Sequence, residues 1–162
     1  MTYPEMTRPR HKRARVTVEE VSRTRGPHDC FLAAVTRVYE QLSKLHRSFV
    51  GWSTARPEHS SGKPGYIEKL SQEYLRKRNA DRFNEFLKAY YPQSIWLDRK
   101  TCSEIEAYIK RAKKFRHAFR CEISRAGAYN QNIQHKMEGL MNKELARKYE
   151  DITAKLQEAL NC

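Results

Sequence analysis

Between Glu104 and Arg125, apolar side chains recur at the three- and four-residue steps of an amphipathic helix: Ile105, Tyr108, Ile109, Ala112, Phe115, Phe119 and Ile123. The other faces carry Lys110, Arg111, Lys113, Lys114, His117, Arg120 and Arg125, and Glu122 is the only acid after Glu106. One side is built to bury and the other to meet negative charge. Arg116 breaks the pattern, falling beside Ile105 and Ile109. There its aliphatic stem can lie on the core while the guanidinium reaches outward.

The rest of the chain repeats this economy of apolar residues. Hydrophobic content is 39% and charged content 31%, a balance that suits slender helices with one buried stripe better than a thick α/β sandwich. A length of 162 residues fits one domain with a sizeable core. Against 19 Asp and Glu stand 32 Lys and Arg, giving a net charge of +13. Such an excess costs self-repulsion and points to an anionic partner: nucleic acid, anionic lipid or an acidic protein.

No run approaches the roughly 18 apolar residues of a membrane span. The N-terminus lacks the apolar core of a signal peptide, and Thr2 stands where myristoylation needs glycine. The expectation is a nuclear or otherwise cytoplasmic protein, not a secreted one. Cys30, Cys102, Cys121 and Cys162 form no C-x-x-C pair and read as small apolar residues in a reducing compartment.

Residues 1–15 hold Arg8, Arg10, Lys12, Arg13 and Arg15 with Pro4 and Pro9 and almost nothing apolar, so they read as a disordered basic arm. RPRHKRAR is also the kind of cluster that serves nuclear import or nucleic-acid contact. Residues 16–162 read as a single helical domain. Thr17 and Glu20 have capping-box spacing and open a short helix that Gly26 and Pro27 close. A core helix follows, with Asp29 as N-cap, the stripe Phe31, Val35, Val38, Tyr39, Leu42, Leu45 and Phe49, and Gly51 as its end. Residues 51–65, rich in Gly, Pro and Ser, read as a long loop in which Trp52 is the aromatic placed to stack on a base.

Helical period resumes at Tyr66 with Ile67, Leu70, Tyr74 and Leu75, then meets Arg76, Lys77 and Arg78. Asn79 suits a helix end and Asp81 a new N-cap, although an unbroken helix through Asn79 fits equally. Phe83, Phe86, Leu87 and Tyr90 continue the stripe to Pro92, after which Ile95, Trp96 and Leu97 are expected to pack back on the core. Thr101 and Glu104 supply a second capping box for the basic helix, which Gly127 ends or kinks. The final helix, 128–160, steps through Ile133, Met137, Leu140, Leu145, Tyr149, Ile152, Leu156 and Ala159 in heptads, with one register shift between Leu140 and Leu145. From Gly127 on, five basic and five acidic residues balance, so the positive excess lies upstream.

Chemistry is sparse. His117 and Cys121 share a helix face at a metal-compatible spacing, but two ligands do not complete a zinc site. Cys102, near Lys100 and a helix start, is the nearest to an activated thiol. Acid pairs such as Glu104 with Glu106 lie in first turns, where the helix dipole accounts for them. No catalytic residue, metal or cofactor is expected.

The sequence thus predicts an all-α fold: a bundle of about five or six helices with a disordered basic arm and a long C-terminal helix. The function it favours is non-enzymatic, sequence-tolerant binding of DNA or RNA, of a chromatin-associated or nucleoprotein-packaging kind. The contact residues would be Lys110, Arg111, Lys113, Lys114, Arg120 and Arg125, extended by Arg76, Lys77, Arg78 and the arm. The alternative is an adaptor that grips an acidic protein. In either case 129–160 is the element expected to dock on a partner or on a second copy. A membrane surface ranks last, because the cations are not paired with protruding Trp, Phe or Leu.

Overall fold

The computed structural model describes residues 26–55 and 65–162, with side chains described from 71 onward in the second stretch. Within them the chain is all helix and forms four rods. Helix α1 spans Pro27–Ser53 and α2 spans Gly65–Gln93. A 3₁₀ turn over Ser94–Trp96 then leads to α3, Arg99–Ala126. The fourth rod comprises α4 (Gln131–Leu140), a π-helical segment (Met141–Ala146) and α5 (Arg147–Asn161).

The described residues hold four rods; the five or six helices expected include one, opened by Thr17, that falls before them. Asn79 does not end a helix; α2 runs unbroken through it, and its side chain is buried. The short helix opened by Thr17, and the basic arm, lie outside the described residues. So does most of the expected loop, although α1 continues past Gly51 to Ser53.

The helix ends also differ from the expected caps. Gly26 is the N-cap of α1 and Pro27 takes the first helical position, where its fixed φ fits and its missing N–H costs nothing. Asp29 therefore sits inside the first turn, favoured by the dipole rather than by capping. For α3 the cap is Asp98, whose Oδ1 accepts the Thr101 N–H at 2.9 Å. Asp98 already supplies the acceptor that the capping-box reading assigned to Thr101. Gly127 does end α3, in a left-handed conformation with φ 75° that favours glycine. Asn130 Oδ1 accepts the Ile133 N–H at 2.9 Å and starts α4. Tyr129 precedes that cap and is buried.

The register shift between Leu140 and Leu145 has a structural form. The π-helical segment, Met141–Ala146, widens the turn there. Ile133, Met137, Met141, Leu145, Ile152 and Leu156 consequently all face inward and are buried. They pack against α1 and α3 of the same chain. The stripe expected to dock on a partner or a second copy is thus covered within the fold.

The core gathers Val38, Leu42, Leu45, Phe49 and Trp52 of α1 with Phe83, Phe86 and Tyr90 of α2 and the α3 stripe from Ile105 to Phe119. Aromatic edges and faces knit it: Phe49 meets Phe115 edge-on at 5.6 Å, and Trp52 stacks on Phe119 at 4.3 Å. Ile95 departs from expectation. At 77% exposure it projects from the 3₁₀ turn, while Trp96 and Leu97 are half-buried.

Candidate nucleic-acid interface

With the apolar stripe of α3 committed to the core, its outer surface presents Lys110, Lys113, Lys114 and His117, spaced by threes and fours along one face. All four are exposed, and the three lysines have no ion-pair partner among the described residues. That leaves their charge available to an external anion. His117 Nε2 and Cys121 Sγ are 3.5 Å apart on the same side. No group of three His, Cys, Asp or Glu side chains converges as metal ligands among the described residues.

The two flanks of α3 are occupied differently. On one, Arg111 reaches the fourth rod, with an ion pair to Glu144 at 3.5 Å and a hydrogen bond to the Glu144 carbonyl at 3.4 Å. Glu122 draws in Arg125 at 3.6 Å and Lys136 at 2.5 Å, which holds its carboxyl below the usual range, Lys136 contributing most. Arg111 and Arg125 are therefore partly engaged by the protein's own acids. Exposed pairs of this kind contribute about 0–1 kcal/mol each, so both arginines remain exchangeable.

On the other flank lie Arg116 and Arg120, one turn apart and facing α2. Arg116 carries its guanidinium over the Phe83 ring, 5.2 Å from the centroid, so the charged head itself lies against the core where the sequence reading had it reach outward. Its Nε is buried without a hydrogen-bond partner among the described residues. Burial, then the charges of Arg120 and Arg76, lower its affinity for the proton.

Arg76 belongs to the second predicted basic run. Its Nε donates to Glu73 Oε2 at 3.0 Å, and a second guanidinium N–H donates to Oε1, making a two-point pair. That hydrogen bonding, with the charges of Arg76, Arg120 and Lys77, holds the Glu73 carboxyl below the usual range. Two runs distant in sequence therefore act on one carboxylate: Arg76 by direct contact, and Lys77 from α2 and Arg120 from α3 by their charge. In the sequence these cations stand apart, and Glu73 is not among the expected site residues. The available signal was its three-residue spacing from Arg76 on a helix. Lys77 and Arg78 are exposed. Arg8, Arg10, Lys12, Arg13 and Arg15 lie outside the described residues.

The aromatic expectations reverse. Trp52 is 1% exposed, stacked on Phe119, with its Nε1 donating to Gln72 Oε1 at 3.1 Å. It cannot reach a base. Tyr74, placed by periodicity on the buried stripe, is instead 62% exposed, one turn before Lys77 and Arg78. Cys102 is a corner residue whose thiol donates to the Ser94 carbonyl at 3.5 Å. No helix among the described residues is long and apolar enough to cross a membrane. No protein-family model, curated protein or solved structure matches this chain.

Proposed function

We propose that this chain is a non-enzymatic, sequence-tolerant nucleic-acid-binding protein. It would act as a chromatin-associated or nucleoprotein-packaging subunit, with the basic arm serving nuclear entry or further phosphate contact. The observation that carries this reading is the joining of two basic stretches, Arg76 with Lys77 and Arg120 with the outer lysines, into one surface backed by a rigid aromatic core. Lys110, Lys113 and Lys114 supply point charges along the helix, suited to phosphates and indifferent to base sequence. Tyr74 adds an exposed ring beside Lys77 and Arg78, which suits stacking on an unpaired base.

The test is a salt titration. Replacing Lys110, Lys113 and Lys114 together by Gln should leave the melting temperature nearly unchanged, because exposed substitutions cost about 0.5 kcal/mol or less each. The slope of log affinity against log salt should fall by about one unit per lost phosphate contact, equally for unrelated sequences. Unchanged affinity and slope would remove this face as the site and put the acidic-protein adaptor first.

A further inference from the structure

Where α2 and α3 run antiparallel, three arginines converge. Tyr90 of α2 bonds the Cys102 carbonyl near the start of α3, Phe83 lies farther along under Arg116, and Gln72 is tied through Trp52 to Phe119. Moving back along α2 thus matches moving forward along α3. That correspondence sets Arg76, one turn after Gln72, level with Arg116, and Glu73, one residue after Gln72, nearer to Arg120. Arg116 lies one turn before Arg120 on α3, half-buried over Phe83. The acid within this group is Glu73, committed to Arg76. Arg116 and Arg120 have no ion-pair partner among the described residues. Among the described residues, three guanidinium charges stand against one carboxylate and leave two uncompensated.

We infer that Arg76, Arg116 and Arg120 form a seat for the terminal phosphomonoester of a nucleic-acid strand, with the Glu73 carboxylate held against Arg76 in the free protein. The inference rests on the nucleic-acid reading above and adds a feature of the strand that is recognised. A phosphomonoester carries about −1.5 to −2 charges at pH 7, whereas a backbone diester carries about one, so the terminal group matches the surplus. Planar guanidinium forks pair with phosphate oxygens in a way that the outer lysines, as point charges, do not. The buried Nε of Arg116 lacks an acceptor among the described residues, and a buried donor left unpaired is costly. A bound dianion would relieve the repulsion among all three arginines, the same repulsion that, with burial, weakens proton binding at Arg116.

The experiment compares three oligonucleotides of one sequence: 5′-phosphorylated, 3′-phosphorylated and hydroxyl at both ends. Fluorescence anisotropy at fixed salt gives their affinities for the full chain. Wild type should bind one phosphorylated strand about tenfold more tightly than the hydroxyl strand. Arg120→Gln should bring that ratio to one. Arg116→Lys, which keeps charge and stem but loses the planar fork, should also abolish it. Glu73→Gln should raise it, because Arg76 is released. Replacing Lys110, Lys113 and Lys114 by Gln should weaken all three strands while preserving the ratio. Arg120 is exposed, so its variant folds even if Arg116 variants do not. Equal binding of all three strands by wild type, or a ratio untouched by Arg120→Gln, would overturn the seat and leave the proposed function standing. Binding of none would overturn both.

Discussion

The His46 ring lies flat on Tyr149, centroids 3.8 Å apart and planes within 2°, and its Nδ1 is 3.3 Å from the Tyr108 hydroxyl. One imidazole therefore joins α1, α3 and α5. Burial pushes its pKa from 6.5 down to about 4. The folded protein holds the ring neutral over a range where the unfolded chain protonates it. Stability contributed by this site is complete above pH 6.5 and falls as the pH drops from there toward 4, by about 3 kcal/mol as an upper bound. Attraction between a protonated ring and the Tyr149 face offsets part of the loss. Denaturant unfolding of wild type and His46→Phe across this window should show a steeper acid decline in wild type. Parallel curves would mean that other groups govern the decline.

Trp52 and Tyr74 should behave in opposite ways. Trp52→Ala removes a ring stacked on Phe119 and should cost about 3–5 kcal/mol of stability. Trp52→Phe should cost less and leave nucleic-acid affinity unchanged. Tyr74→Ser should shift stability by about 0.5 kcal/mol or less. It should weaken single-stranded binding by about 1–3 kcal/mol if the ring stacks on a base. Thermal melts with single-strand titrations on the same three variants would expose an inverted assignment.

Asn79 should be replaceable to advantage. It is fully buried; its Nδ2 donates to Ser48 Oγ at 2.9 Å, while its Oδ1 has no partner among the described residues. Ser48 donates in turn to the Leu45 carbonyl at 2.6 Å and keeps that bond when Asn79 is lost. Leu has similar volume and removes the unpaired acceptor, so Asn79→Leu should raise stability by about 1 kcal/mol. A fall in melting temperature would show that Oδ1 has an acceptable partner in solution, such as an ordered water.

What the sequence revealed, and what it hid, follows from the range of the forces involved. The α3 stripe from Ile105 to Phe119 and the end at Gly127 were legible because periodicity and a left-handed glycine are local. At Asn79 the sequence left two readings open, because its polar side chain favours helix ends in isolation, whereas Ser48 on another helix gives it a partner. Trp52 and Tyr74 were interchanged for the same reason. Which ring is covered depends on where Phe119 and Gln72 arrive, and spacing within one helix carries no such information. In the candidate site each cation could be named, but their grouping around Glu73 depends on the antiparallel pairing of α2 and α3.

The π-helical segment at Met141–Ala146 gives the last prediction. Relative to a straight α-helix, such a widened turn accommodates about one extra residue. Deleting an exposed residue within it should let the segment relax to α-helix. Asn142 is exposed. Without it, Ile133, Met137 and Met141 would be followed by Leu145, Tyr149, Ile152 and Leu156 in steps of three, four, three and four, an uninterrupted heptad on the same face. Lys155 would move about 1.5 Å along the axis relative to Glu104, a shift that their flexible side chains can absorb. Deleting Glu150 instead, inside regular α5, would turn Ile152 and Leu156 by about 100° and expose them. Circular dichroism melts should therefore show a cooperative transition for the Asn142 deletion, close to wild type, and severe loss for the Glu150 deletion. Equal damage from both would mean that the wide turn is held by specific tertiary contacts rather than by an extra residue in the heptads.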